Sequence, residues 1–169
     1  MKKLNQFLFL FIVIVFTNCD NKYEKISIGN NISLKIPANF VINQSTSENE
    51  IVVNAKSDND ELYIAAQTIS GLDTMIMEHR KEIVEKNIKG FANAIKSRNL
   101  EIEDMKTQDD LILSSFSVET ETHGSLMTVY GRIVNQDSSL IILTYFTEKP
   151  TSKASLKAKD IIFKSIKTE

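Results

Sequence analysis

The chain has 169 residues, 42% of them hydrophobic and 25% charged, which suits one globular domain with a sizeable core. Its 20 basic and 22 acidic residues give a net charge of −2, a mild acidity that argues against nucleic-acid binding and against attraction to anionic lipid. One cysteine, Cys19, excludes an internal disulfide.

Lys2 and Lys3 form a positive start, and ten uninterrupted apolar residues, Phe7 to Phe16, follow. As a helix these span only about 15 Å, roughly half a bilayer core, so they read as the apolar region of a secretory signal and not as a membrane span. Phe16-Thr17-Asn18-Cys19 resembles a bacterial lipobox, in which the cysteine sulfur receives a diacylglycerol and the leader is cut before it. Phe16 stands where Leu is commonest and Asn18 where Gly, Ala or Ser is usual. The resemblance implies a signal peptide over 1–18, a lipidated tether over 19–24 and a membrane anchor at Cys19. Asp20 resembles the acidic residue that enteric bacteria read as an inner-membrane retention signal, but other groups sort by different rules. The expected location is the cell envelope, outer membrane ahead of inner, on a periplasmic or surface face. Removing 1–18 takes two of the 20 cations and no acid, so the mature balance is 18 against 22, a net of −4.

The single remaining domain covers 25–169. Lys25–Ile28 and Ile32–Ile36 alternate around Gly29-Asn30-Asn31 and predict a hairpin, with Pro37 stopping its second strand. Ile51–Ala55 and Leu62–Ile69 predict two more strands. From 72 to 98 the period changes to that of a helix. Leu72, Ile76, His79, Ile83, Ile88, Phe91 and Ile95 make its stripe, with Val84 and Ala92 beside them, and Ser70 with Asp73 forms a capping-box-like start. Gly90 costs this helix about 1 kcal/mol relative to Ala and reads as a point of close approach to the sheet. Leu100–Thr107, Leu111–Thr122, Ser125–Asn135 and Leu140–Thr147 predict four strands. Their short links force an antiparallel meander. Thr151 or Ser152 caps a last helix with Ala158, Ile161, Ile162 and Ile166 on one stripe.

The expected fold is therefore α+β, an antiparallel sheet of about six to eight strands packed with a long mid-chain helix and a C-terminal helix. The order of elements resembles the PsbP-like, DcrB-like lipoprotein group, whose architecture is shared with the Ran-binding nucleotide-release factor. Ile32-Ser-Leu-Lys-Ile-Pro37 with Phe40, the mid-chain helix, the meander and Asp160–Ile166 carry that resemblance. It implies a three-layer sandwich with roles in binding and assembly.

No cofactor motif and no reaction motif are present. Glu119, Glu121 and His123 alternate on one strand face, the one set of residues that could take a divalent cation. A solvated hairpin end is the preferred reading of these residues. Asp58, Asp60 and Glu61 read as a polar turn, because the glycine and distal glutamate of a calcium loop are missing. His79 reads as a buried, hydrogen-bonded histidine. Asp73-Thr74-Met75 resembles an O-glycosylation acceptor of some bacteria, but a helix start is the preferred reading. The expected function is a non-catalytic, lipid-anchored module that binds another envelope or secreted protein. One alternative is an apolar-ligand carrier whose pocket, between sheet and long helix, is lined by Met75, Met77, Phe91 and Met127. The other is a metal-dependent site at Glu119, Glu121 and His123.

Overall fold

The computed structural model describes residues 22–28, 32–108, 111–122 and 124–168. Cys19 and His123 therefore lie outside the described residues, as do the leader and the Gly29–Asn31 turn. Strands β1 (Tyr23–Ser27) and β2 (Ile32–Pro37) pair antiparallel, and the short β11 (Lys167–Thr168) joins β2 on its other side. The remaining strands are β3 (Val41–Thr46), β4 (Glu50–Lys56), β5 (Asp60–Thr68), β6 (Arg98–Ile102), β7 (Lys106–Gln108), β8 (Leu111–Thr122), β9 (Ser125–Gln136) and β10 (Ser139–Glu148). They form one eight-stranded antiparallel sheet in the order β3-β4-β5-β10-β9-β8-β6, with β7 also on β8. Among the described residues two helices complete the fold, α1 (Met77–Ala94) and α2 (Lys153–Lys164).

The large sheet is the middle of three layers because its strands alternate between two cores. On β10, Ile141, Leu143 and Tyr145 enter a core shared with Leu34, Ile36, Ile162 and Phe163, roofed by the small sheet and α2. Leu140 enters the opposite core, where Val84, Ile88 and Ala92 of α1 pack on Ile112, Phe116, Val129 and Ile133. The two cores and the strand pairing given above are those of the described residues. Among them, no helix is long and apolar enough to cross a membrane.

The α+β sandwich matches the expectation, and several details correct it. Strand β3 has one core-facing apolar residue, Ile42, so no alternation marks it in the sequence. The strand expected over 100–107 is two: β6 shifts register between Arg98 and Glu101, where Asn99 takes a positive φ of 53°, and β7 starts at Lys106. Helix α1 starts at Met77 without a side-chain cap, so the Ser70–Asp73 box is not formed. Thr74 lies in an exposed turn before it, its hydroxyl donating to the Gly71 carbonyl. The buried ridge of α1 is Arg80, Val84, Ile88 and Ala92, spaced by four. His79 falls one position off that ridge and is exposed, as is Ile76 just before the helix; Arg80 is the buried polar residue of α1. Gly90 is exposed too, and a Cβ there would meet nothing within 4 Å, so it serves no close approach. Glu85 pairs with Lys89 one turn later along α1. At α2 the cap is Ser152, whose side chain accepts from the Ser155 amide.

Candidate binding site

Strands β6, β8 and β9 meet the last turns of α2 around a cleft of about 370 Å³. Its centre is Arg132 on β9. Ile133 and Val134 enter the two opposite cores, and Arg132 falls on the face that carries α2. Its Nε donates to Ser115 Oγ at 3.2 Å and its Nη1 donates to the Phe163 carbonyl at 2.6 Å. The guanidinium carbon sits 5.2 Å from the centre of the Phe163 ring. The planar fork is thus stacked and hydrogen-bonded in one orientation. Burial lowers its pKa from the ordinary value, opposed by Glu103 and Asp160 nearby. Lys159 lies 4.6 Å over the Tyr130 ring and 2.9 Å from Asp160, whose carboxyl this contact holds below its ordinary value. Glu101, Ser117 and Lys164 complete the rim.

This arrangement presents fixed donors and paired charges. It can hold a planar acidic group or a polar peptide edge. Ser115 is occupied by Arg132, and His79 does not line the cleft. Sequence reasoning missed the site because Arg132 is one cation on an otherwise ordinary strand.

The expected sites fall elsewhere. Glu119 accepts from Lys149 and, at 3.0 Å, from Asn99, and these two hydrogen bonds hold its pKa below the ordinary 4.5. Glu121 is exposed on the same hairpin, and Lys96 and Arg98 line the cleft both glutamates border. Two cations in that cleft oppose the entry of a metal ion. No metal-holding group of His, Cys, Asp and Glu occurs among the described residues. Asp60 is no loop ligand either: its Oδ2 accepts from Ser155 at 3.1 Å, joining β5 to the start of α2. The Tyr145 hydroxyl beside it is pushed up by burial and by the Asp60 charge, so it stays protonated. Between α1 and the sheet, Phe91 packs on Phe116 at 5.7 Å and Met77 packs against the core edge, while Met75 is exposed. Phe91, Phe116 and Met77 pack into the interface where an apolar ligand was expected.

This geometry has counterparts among solved structures. Cyanobacterial PsbP (CyanoP) from Synechocystis sp. PCC 6803 aligns with a TM-score of 0.65 at 9% identity, over 90% of this chain and 95% of that one. The chain has a PsbP-like fold. A Bacteroides thetaiotaomicron VPI-5482 protein aligns at TM-score 0.55 and 11% identity, over 88% of this chain and 49% of that one. The chain thus spans about half the length of that protein. LpqN of Mycobacterium tuberculosis, described as involved in cell envelope biogenesis, aligns at TM-score 0.47 and 12% identity, over 87% and 91%, too distant to carry an argument. No family model matches the chain, and no curated protein does.

Proposed function

We propose that this chain is a lipid-anchored, non-catalytic binding module of the bacterial cell envelope, similar to the DcrB-like lipoproteins, that engages an envelope or secreted protein through the Arg132 cleft. The observation that carries the binding role is the half-buried guanidinium held by Ser115 and Phe163 and flanked by Lys159 and Lys164. An arginine locked this way has lost its rotamer entropy before a partner arrives, so an acidic or amide group of that partner binds at less entropic cost. The PsbP-like fold is consistent with this role. The anchor follows from the leader: the apolar run ends three residues before Cys19, and β1 begins at Tyr23.

Two experiments test the reading. A photo-crosslinking residue at Ser117, inside the cleft, should trap one protein partner in intact cells, whereas one at Glu85 on the wet side of α1 should not. Adducts at neither position, or equally at both, refute the binding site. For the anchor, Cys19→Ser should release the chain from the membrane pellet and remove a diacylglyceryl mass from its N-terminus. An unchanged pellet and mass refute lipidation.

A further inference from the structure

The net charge of −2 averages two regions that the fold separates. Residues 22–37 and 153–168, the layer of β1, β2, β11 and α2, carry eight lysines against Glu24 and Asp160, a net of +6. Residues 38–152, the large sheet and α1, carry 10 cations against 18 acids, a net of −8. The mature chain is therefore strongly bipolar.

The positive pole has a defined surface. Register places Lys25 of β1 directly opposite Lys35 of β2, and Lys167 of β11 opposite Ser33. Their neighbours Leu34 and Ile36 enter the core, so these lysines face outward. Beside them runs a groove of about 400 Å³ between the small sheet and α2, with Leu34 and Ile161 in its lining and Lys25, Lys35, Lys164 and Lys167 around it. The Lys35 amide donates to Ser165 Oγ at 2.8 Å, which fixes the end of α2 against β2. The stripe continues along α2 through Lys157 and Lys153, four and eight residues before Ile161, with Leu156 exposed among them.

We propose that this layer is a membrane-docking face that seats on anionic phospholipid headgroups, its lysines meeting the phosphates and its apolar groove and Leu156 reaching the headgroup–acyl boundary. Charge complementarity selects that occupant. So does position: β1 opens this layer, and Tyr23 follows Cys19 by four residues, a reach of at most about 14 Å. A diacylglyceryl cysteine would already hold the chain at the bilayer, and the basic layer adds a second contact that fixes how the domain sits on it. Docking this way turns the acidic body, with its β3–β4–β5 half-sheet, away from the bilayer. The inference leans on the proposed lipidation of Cys19 for its argument from position and on the envelope reading for which bilayer is met.

The test uses residues 20–169, which contain the whole described core and lack Cys19, so its outcome is independent of lipidation. Flotation with phosphatidylglycerol-rich vesicles should recover the protein, and phosphatidylcholine vesicles should not. Recovery should fall steeply as salt rises. Each of Lys25→Gln, Lys35→Gln, Lys164→Gln and Lys167→Gln should weaken partitioning about fivefold, and the quadruple variant should not float. Lys81→Gln with Lys86→Gln, on the opposite layer, should change nothing, and melting curves confirm that all variants fold. Equal recovery with both vesicle types, or a folded quadruple variant that floats like the parent, overturns the proposal. So does salt-sensitive self-association without vesicle binding, which makes the occupant the acidic pole of a second copy. Equal affinity for soluble glycerophosphate, marking a simple anion site, also overturns it.

Discussion

Gly131→Ala is the sharpest test of the packing. Gly131 on β9 pairs with Phe116 on β8, and the phenyl ring lies over the glycine. A Cβ at 131 would sit 2.0 Å from Phe116 Cζ and 2.1 Å from Cε1. Ordinary contact lies near 3.5–4.0 Å, so the ring must retreat by about 1.5 Å. It has nowhere to go: Phe116 is 3% exposed and is backed by Phe91 with 5.7 Å between centroids. Overpacking of this kind costs about 1–3 kcal/mol. Complete loss of the ring's packing, about 3–5 kcal/mol, sets the ceiling. The lower entropy of the unfolded alanine chain returns about 0.4–1 kcal/mol. The net expectation is a loss of about 2 kcal/mol, which lowers the Tm of a chain this size by about 4–8 °C. Urea unfolding of residues 20–169 measures it. Phe116→Leu trims the ring, so Gly131→Ala should cost less in that background, with a coupling of about 1 kcal/mol or more. A Gly131→Ala variant within about 0.5 kcal/mol of the parent, or additive effects in the double variant, refutes the reasoning.

Three further outcomes follow from the same structure. Gly90→Ala should stabilise the protein by about 1 kcal/mol, because the helix position is open and alanine is the better helix former; thermal melting shows the rise. Tyr145→Phe should leave stability unchanged or slightly raised, since the buried hydroxyl makes no well-formed hydrogen bond among the described residues, whereas Tyr145→Ala should cost about 3–5 kcal/mol by opening a cavity; denaturant midpoints distinguish them. Glu119 has a depressed folded pKa, so its contribution is present above its unfolded value of 4.5 and is lost as pH falls through the folded value. Lys149→Met should raise the Glu119 pKa, followed by carbon-detected NMR titration, which shrinks that contribution and completes its loss at a higher pH while the onset stays at the unfolded value.

Some of this molecule follows from local pattern. Alternation along strands such as Leu111–Thr122, short links that allow only antiparallel neighbours, and the apolar stripe of α2 suffice for an α+β sandwich. The reading of residues 1–19 as an export leader likewise rests on composition alone. Each of these is set by neighbours within a few positions, where periodicity and turn chemistry act.

Tertiary structure decided the rest, because it depends on what meets across the sheet. The phase of α1 is set by the core it packs on, which buries Arg80 against Asn135 at 2.7 Å and turns His79 outward. Edge strand β3 exists through pairing with β4, since its own residues carry almost no apolar pattern. The Arg132 cleft joins β9 to α2 across 31 positions of sequence, a distance that no local pattern spans. Charge shows the difference most plainly. The sequence total is a mild −2, while the fold gathers the lysines of its first two strands and last helix into one layer and leaves most of the acids in the other two. Net charge is a sum that ignores position, and the electrostatic field at a surface depends on position.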